Sequence, residues 1–480
     1  MRTLACLVLA CVAGSAFGQD EPKLPEYKLT LRAVGPPLPS FRYELVPARD
    51  LIHVNAALLE HRALHLLADA RPAGKEFFDK QQKLDDARDK PLKDFPKEEA
   101  REYLKPFHNV FKEMEAAAKC DFCEWGTEQR IAAEGIGFLL PDAQKMRELA
   151  FLLTLRCRLH AADGKSELAL RDVQTGFALA RHAAQGPTLI NFLIGNAIVA
   201  LFVRELEVVM QLPDCPNLYW SLTAMPRPLV NIRKGIEGEL RSMETTIPLP
   251  KDVEKGPMTP EEALAALDRL WAGIQRLADE PTTDRKPGIA ESRMGLAFYI
   301  TMQHPSARKS LLAAGKTEAE LDAMPPAQVV MLDALVRFRN LRDQHFVWFN
   351  APYAEAMQGM RMSEARIKEI RKSPADYLQM MLLLLLPAVD KVYGAEVRTE
   401  RRIASLRAVE AVRLHSAKGN GMPPAKLSDV TDVPVPTDPT TGQPFGYTVE
   451  GNTFTISVAP PPGEPANQSN SWKYVVTLAK

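Results

Sequence analysis

The chain has 480 residues, enough for two or three domains with cores of their own, and its composition (46% hydrophobic, 25% charged) excludes wholesale disorder. Sixty basic residues balance sixty acidic ones, so charge gives no reason to expect nucleic acid or an anionic membrane surface as a partner. The 38 prolines cluster between helical stretches and punctuate them.

The N-terminus predicts an exported protein. Arg2 supplies a positive n-region, Leu4 to Ala13 an apolar h-region, and Ala16-Phe17-Gly18 a small-residue cleavage site. Residues 1–18 therefore read as a bacterial signal peptide, with Cys6 and Cys11 leaving with it and a mature chain starting near Gln19 in the periplasm or outside the cell. Residues 19–46 are proline-dotted and polar and read as an arm. A helix is expected from Pro47 to Ala70, with Ile52, Ala56, Leu59, Ala63 and Leu66 on one apolar face. The charges of both signs from Asp79 to Lys119 read as a solvated helical face.

Residues 146–187 read as a helical hairpin. Met146, Leu149, Leu153 and Cys157 line the first helix, "ADGKS" makes the turn with Ser166 as N-cap, and Leu170, Val173, Phe177 and Ala180 line the second. The unit resembles one tetratricopeptide hairpin, without a second copy at that family's period of about 34 residues. "LINFLIGNAIVALFV" (189–203) reads as a core helix in which Asn191 and Asn196 need partners.

An N-terminal helical domain (47–246) is thus followed by a linker at 247–260 and a second helical domain at 261–418. Capping boxes open helices at "TPEE" (Thr259) and "TEAE" (Thr317), and Pro325-Pro326 precede a long helix through Phe349. "MMLLLLLPAV" (380–389) has about half of the roughly 20 apolar residues a membrane span needs, so it reads as a buried helix with Ser373 as its cap. No membrane span is expected after signal removal. From 419 the pattern turns to strands: Phe445, Tyr447 and Val449 alternate, then Phe454, Ile456 and Val458 across an "EGN" turn, then "WKYVVTL". The fold class is mainly α, helical hairpins or a bundle open to a solenoid-like arrangement, with a small C-terminal α+β antiparallel module (419–480) packed on the preceding helix.

The stretch from Arg401 to Phe454 resembles the globular part of type II secretion pseudopilins, through Asp438, Pro439, Gly442, Pro444, Phe445 and Tyr447 in a "DP..G.PF.Y" pattern. The resemblance covers about the last 80 residues and implies a helix leading into antiparallel strands. The membrane-spanning first helix of that family has no counterpart before this module. Where calcium-binding members carry an acidic loop, "APPPGEPANQSNS" offers only Glu464, so no calcium site is carried over. The mature chain also resembles a family of large secreted bacterial helical proteins, through "ALARHAAQGPTLI", "PNLYW" and "LLAAGKTEAELDAMPPAQVV". That likeness implies an architecture and brings no activity with it.

"KCDFCEWG" (119–126) is the stretch that most suggests chemistry. Four cysteines remain after signal removal, and an even count in an exported protein makes Cys120, Cys123, Cys157 and Cys215 disulfide candidates. A redox pair sits at a helix N-terminus, whereas "FKEMEAAAKC" places this one at a helix end, beside Asp121 and Glu124, where a thiolate is disfavoured. The alternative is a zinc set of Cys120, Cys123, Cys157 and His160, against which stand the long gap between its halves and the oxidising compartment. His61 and His65 lack an HExxH frame and read as solvated. Ser306 and Lys309 share the SxxK spacing of penicillin-recognising enzymes without its partner motifs. "ADGKS" and "AAGKT" lack the first glycine of a P-loop, and the aromatics of "NLYWSL" and "QHFVWFNAPY" read as core. No catalytic residue and no cofactor is expected. The leading expectation is a non-catalytic protein that meets other proteins in the cell envelope. The alternatives are a zinc- or thiol-dependent protein and an accessory of a secretion or pilus-like apparatus.

Overall fold

The computed structural model describes residues 24–38, 43–47, 50–72, 74–130, 141–246, 253–278, 293–372, 378, 383, 389–419 and 421–479. The signal segment, Ser373 and most of the apolar stretch 380–388 lie outside them. The described chain is mainly helical with a small C-terminal antiparallel sheet, and none of its helices is long and apolar enough to cross a membrane. It divides into two compact units.

The larger unit holds Gly18–Thr127, Leu139–Gly238 and Lys391–Lys480. The expected arm is instead a strand in part: β1 (Glu26–Arg32) lies parallel to the last strand and buries Leu29 and Leu31. The described residues between 47 and 55 are not helical either. Ile52–Asn55 is strand β2, and the helix, α1, runs Ala57–Ala70. Its buried face is Ala57, Glu60, Ala63, Leu64 and Leu67, rotated from the expected one because Ile52 is exposed on β2. The charged region forms α2 (Lys75–Ala87), α3 (Lys97–Leu104) and α4 (His108–Ala117), which turn Phe77, Leu84, Leu104 and Phe111 inward and most of their charges to water, while Phe78 is exposed. Strand β3 (Cys120–Phe122) pairs parallel with β2.

The hairpin is α5 (Pro141–Ala162) and α6 (Ser166–Ala184), joined by Gly164 at φ 72°. Lys165 N–H donates to the His160 carbonyl (2.8 Å) across that glycine, a Schellman closure, so "ADGKS" is a helix stop. Ser166 is the first helical residue, not the cap, and its hydroxyl donates to Asp214 (2.8 Å). Helix α7 (Leu189–Val209) is N-capped by Thr188. Gly195 lets it approach α6: a Cβ there would lie 2.5 Å from the Ala180 carbonyl oxygen. Each of α5, α6 and α7 packs on the other two, a closed triple rather than an open solenoid. The short α8 (Tyr219–Thr223) and α9 (Arg233–Thr246) follow.

The smaller unit is built chiefly from Glu239–Asp390. It contains α10 (Pro260–Ala278), α11 (Arg293–Ala313), α12 (Glu318–Asp322), α13 (Pro326–Phe346) and α14 (Tyr353–Lys372), with α10, α11 and α14 packed on α13. Both capping boxes form, Thr259 with Glu262 and Thr317 with Glu320. The described part of the expected linker is held fast: the fully buried Gln328 of α13 donates to the Val253 (2.9 Å) and Gly256 (2.7 Å) carbonyls.

Helix α15 (Val389–Ser416) joins the larger unit through nearly all its length, not the second domain in which 261–418 was expected. It is buried on every side from Ile403 to Leu414 and leads into β4 (Gly446–Glu450), β5 (Thr453–Val458) and β6 (Trp472–Ala479). The sheet order is β1-β6-β5-β4, antiparallel except for the β1–β6 pair.

Candidate functional site

The Cys120–Trp125 segment is built into the wall of the larger unit by backbone pairing and one asparagine. Ile52 N–H donates to the Lys119 carbonyl (2.8 Å) and Ala56 N–H to the Phe122 carbonyl (2.9 Å). Asn55 accepts from Ala57 N–H (3.0 Å) and Glu124 N–H (2.9 Å), tying the start of α1 to the segment. Cys120 and Cys123 are buried with Ala56, Ala57 and Ala117, and Leu59 and Trp125 pack over them. The Trp125 indole donates to the His182 carbonyl (2.9 Å), and Cys123 N–H donates to the Gln185 side chain (2.6 Å).

Beneath them lies a pair the sequence reading missed. Glu60 of α1 and His182 of α6, both about 1% exposed, meet at 2.8 Å between Oε1 and Nδ1, while His182 Nε2 faces the Cys120 carbonyl at 3.4 Å. Glu60 Oε2 is buried without a hydrogen-bond partner. Both ring nitrogens face oxygens, and among the described residues neither meets a thiol sulfur. In the sequence Glu60 is only the acid that precedes His61, outside any HExxH frame. His182, 122 residues away, carried no spacing signal.

The thiols are held in their neutral form. Burial pushes the Cys120 and Cys123 pKa values up, with the Glu60 charge adding to the effect. Cys120 Sγ points at the Ala116 carbonyl (3.8 Å), so the carbonyl end of α4 opposes a thiolate as its position predicted. Cys157 is buried in the α5–α6 interface with Sγ on the Ala169 carbonyl (3.5 Å), and burial raises its pKa well above the ordinary thiol range. Cys215 sits in the loop after α7 against the Pro216 carbonyl (3.6 Å), pushed up to about 12 by burial. All four disulfide candidates are thus free, buried thiols, and only Cys120 and Cys123 share a cluster.

The zinc candidates are directed elsewhere. His160 Nδ1 meets the buried Asp172 at 2.7 Å, on the carboxylate that also receives Arg156 (2.8 Å). Among the described residues no group of three or more His, Cys, Asp or Glu side chains is placed to hold a metal ion. His65 is exposed, and His61 packs edge-on against Trp125. Ser306 and Lys309 are both exposed on α11, and the Ser306 hydroxyl is spent on the Gln303 carbonyl (2.9 Å). "AAGKT" ends α11 as Gly164 ends α5, with Gly315 at φ 95°. Tyr219, Phe346 and Phe349 are core residues.

The residues of the "DP..G.PF.Y" pattern form the joint between α15 and the sheet. Asp438 receives the Arg401 guanidinium (Nη2 to Oδ2 2.7 Å), Gly442 turns at φ 66°, Phe445 is buried, and the Tyr447 hydroxyl donates to the Pro424 carbonyl (2.7 Å). Arg401 also reaches the Asn470 carbonyl (2.8 Å) and the Ala459 carbonyl, so one guanidinium fastens three segments of the module to the helix. Comparison of the chain with models of protein families, with curated proteins and with solved structures returns no match.

Proposed function

We propose that this is an exported, non-catalytic helical protein that presents surfaces to other proteins of the bacterial cell envelope. The observation that supports it most is the use to which the candidate chemistry is put. Cys120, Cys123 and His182 are spent on packing and hydrogen bonds around a buried carboxylate, in a geometry that keeps the thiols protonated. Phe298 and Met302, one turn apart on α11 and 68% and 62% exposed, offer apolar side chains to a partner.

Intact mass and thiol labelling of protein purified from the envelope test this reading. The expected result is a chain beginning near Gln19, free of zinc, with thiols that react only after denaturation. Bound zinc, or a thiol labelled rapidly in the native protein, overturns the non-catalytic reading. Photoreactive residues at Phe298 and Met302 should give adducts with envelope proteins, and their absence overturns the interaction reading. The joint around Asp438 favours a second reading, an accessory of a secretion or pilus-like apparatus acting through 419–480. In that case deletion of the module abolishes binding to a pseudopilin.

A further inference from the structure

In a chain of zero net charge, one cleft of the larger unit gathers cations without matching anions. It is open, about 390 Å³, and is walled by the end of α6, the loop 226–232 and the first turn of α9. Arg181, Arg233 and Lys234 line it against a single acid, Glu237. Arg181 is half-buried, and among the described residues no carboxylate lies within ion-pair distance of it. Burial draws its pKa down, with the more distant Asp121 opposing that shift. Arg233 and Lys234 occupy the first turn of a 14-residue helix, where the macrodipole is positive and acidic residues are preferred. The Lys234 ammonium finds only the Gln185 carbonyl at 3.4 Å, and Arg233 has no carboxylate within ion-pair distance among the described residues, although its charge acts at longer range on the buried Glu396.

Two further acids lie behind the loop rather than in the cleft, and each is occupied. Glu400 accepts from Leu229 N–H (3.0 Å) and Glu396 from Ile232 N–H (2.7 Å). The carbonyl end of α6 offsets part of the Arg181 charge. What is left on the cleft surface is two guanidinium forks and an ammonium, converging where a half-buried cation costs free energy unless an anion meets it. Gln185 connects the cleft to the cysteine segment: its side chain accepts from Cys123 N–H, and its carbonyl accepts from Lys234. The backbone of the cysteine segment therefore anchors one wall of the cleft.

We propose that this cleft binds a phosphate-class oxyanion, either free or as the headgroup of a lipid, with Arg181, Arg233 and Lys234 as its ligands. Two guanidinium groups and an ammonium suit a doubly charged tetrahedral anion better than a single carboxylate, which one fork already satisfies.

The test is titration calorimetry of the full mature chain with inorganic phosphate near pH 7.5, with acetate at matched ionic strength as control. Saturable phosphate binding and none for acetate is expected. Arg181→Gln and Lys234→Gln should each weaken binding by about tenfold, the loss of one charge-assisted hydrogen bond. Glu237→Gln should strengthen it. Lys234 and Glu237 are exposed, so these two variants report on the site even if Arg181→Gln fails to fold. Equal responses to phosphate and acetate, or unchanged affinity in Lys234→Gln with Glu237→Gln no tighter, overturns the proposal. Co-sedimentation with vesicles containing phosphatidic acid, against phosphatidylcholine alone, separates the two sources. Capture by the first that is lost in Lys234→Gln assigns a lipid headgroup, and phosphate binding without vesicle capture assigns the free anion.

Discussion

Two buried ionic centres of the larger unit solve the same problem to different degrees. On α15, Asp438 accepts Arg401 through both oxygens and Thr440 through its N–H (2.9 Å) and hydroxyl (2.7 Å). About three turns further on, Arg413 donates to the carbonyls of Arg32 (2.6 Å), Pro216 (3.0 Å) and Cys215 (2.7 Å), while Glu410 takes Leu218 N–H (2.5 Å). Every charged atom there has a partner. In the cysteine segment, by contrast, Glu60 leaves one oxygen bare. A fully satisfied network fixes distant segments in one register, because any other arrangement strands a charge. A half-satisfied one only fills space.

The largest effect is therefore expected at Arg401. Arg401→Met strips a buried carboxylate of its cation and releases three segments of the C-terminal module, and should cost about 3–5 kcal/mol in urea unfolding. The pair Arg401→Met/Asp438→Leu should recover more than half of that loss, since no bare charge remains. A cost below about 1 kcal/mol for the single change would break the contrast.

Glu396 sharpens it with pH. This buried carboxylate of α15 accepts one backbone N–H, and burial raises its pKa to about 7 from 4.5, with the Glu400 charge adding. The folded chain holds this proton more tightly than the unfolded chain. The contribution is therefore complete below pH 4.5, declines above it, and is lost as pH rises through about 7. Glu396→Gln keeps an acceptor for Ile232 without the charge. Near pH 8 it should be more stable than the parent by on the order of 3 kcal/mol, and near pH 4 indistinguishable. Equal thermal midpoints at both values would show that Glu396 ionises without cost.

What could be read in the sequence was what is local. Both capping boxes, the α5–α6 hairpin and the apolar faces of Met146–Cys157 and Leu170–Ala180 follow from residues within a few turns of each other. Thr317→Ala should accordingly cost about 1 kcal/mol, read as faster amide exchange across Glu318–Asp322. What escaped was non-local. Nothing in "EYKLTLR" announces that β1 completes a sheet with a strand some 450 residues later, because an edge strand with alternating charges looks like an arm. Nothing local marks the charges of α15 as buried, and only partners from segments up to 381 residues away offset the cost of burying them. Of the candidate site, the cysteines were legible as residues, but Glu60–His182 and the Arg181 cleft are assembled by packing alone.

The smallest effect is expected where the comparison began. Glu60→Gln retains an oxygen for His182 and removes a charge whose second oxygen has no partner. The ionic hydrogen bond that is lost and the desolvation that is relieved oppose each other, so thermal unfolding should shift by less than about 1 kcal/mol in either direction. A loss of about 3 kcal/mol or more would mean that this pair organises its surroundings as Arg401 does. The cysteine segment would then join α15 as a centre that specifies the fold, and Gln185, held between Cys123 and Lys234, would be the residue through which that order reaches the cleft.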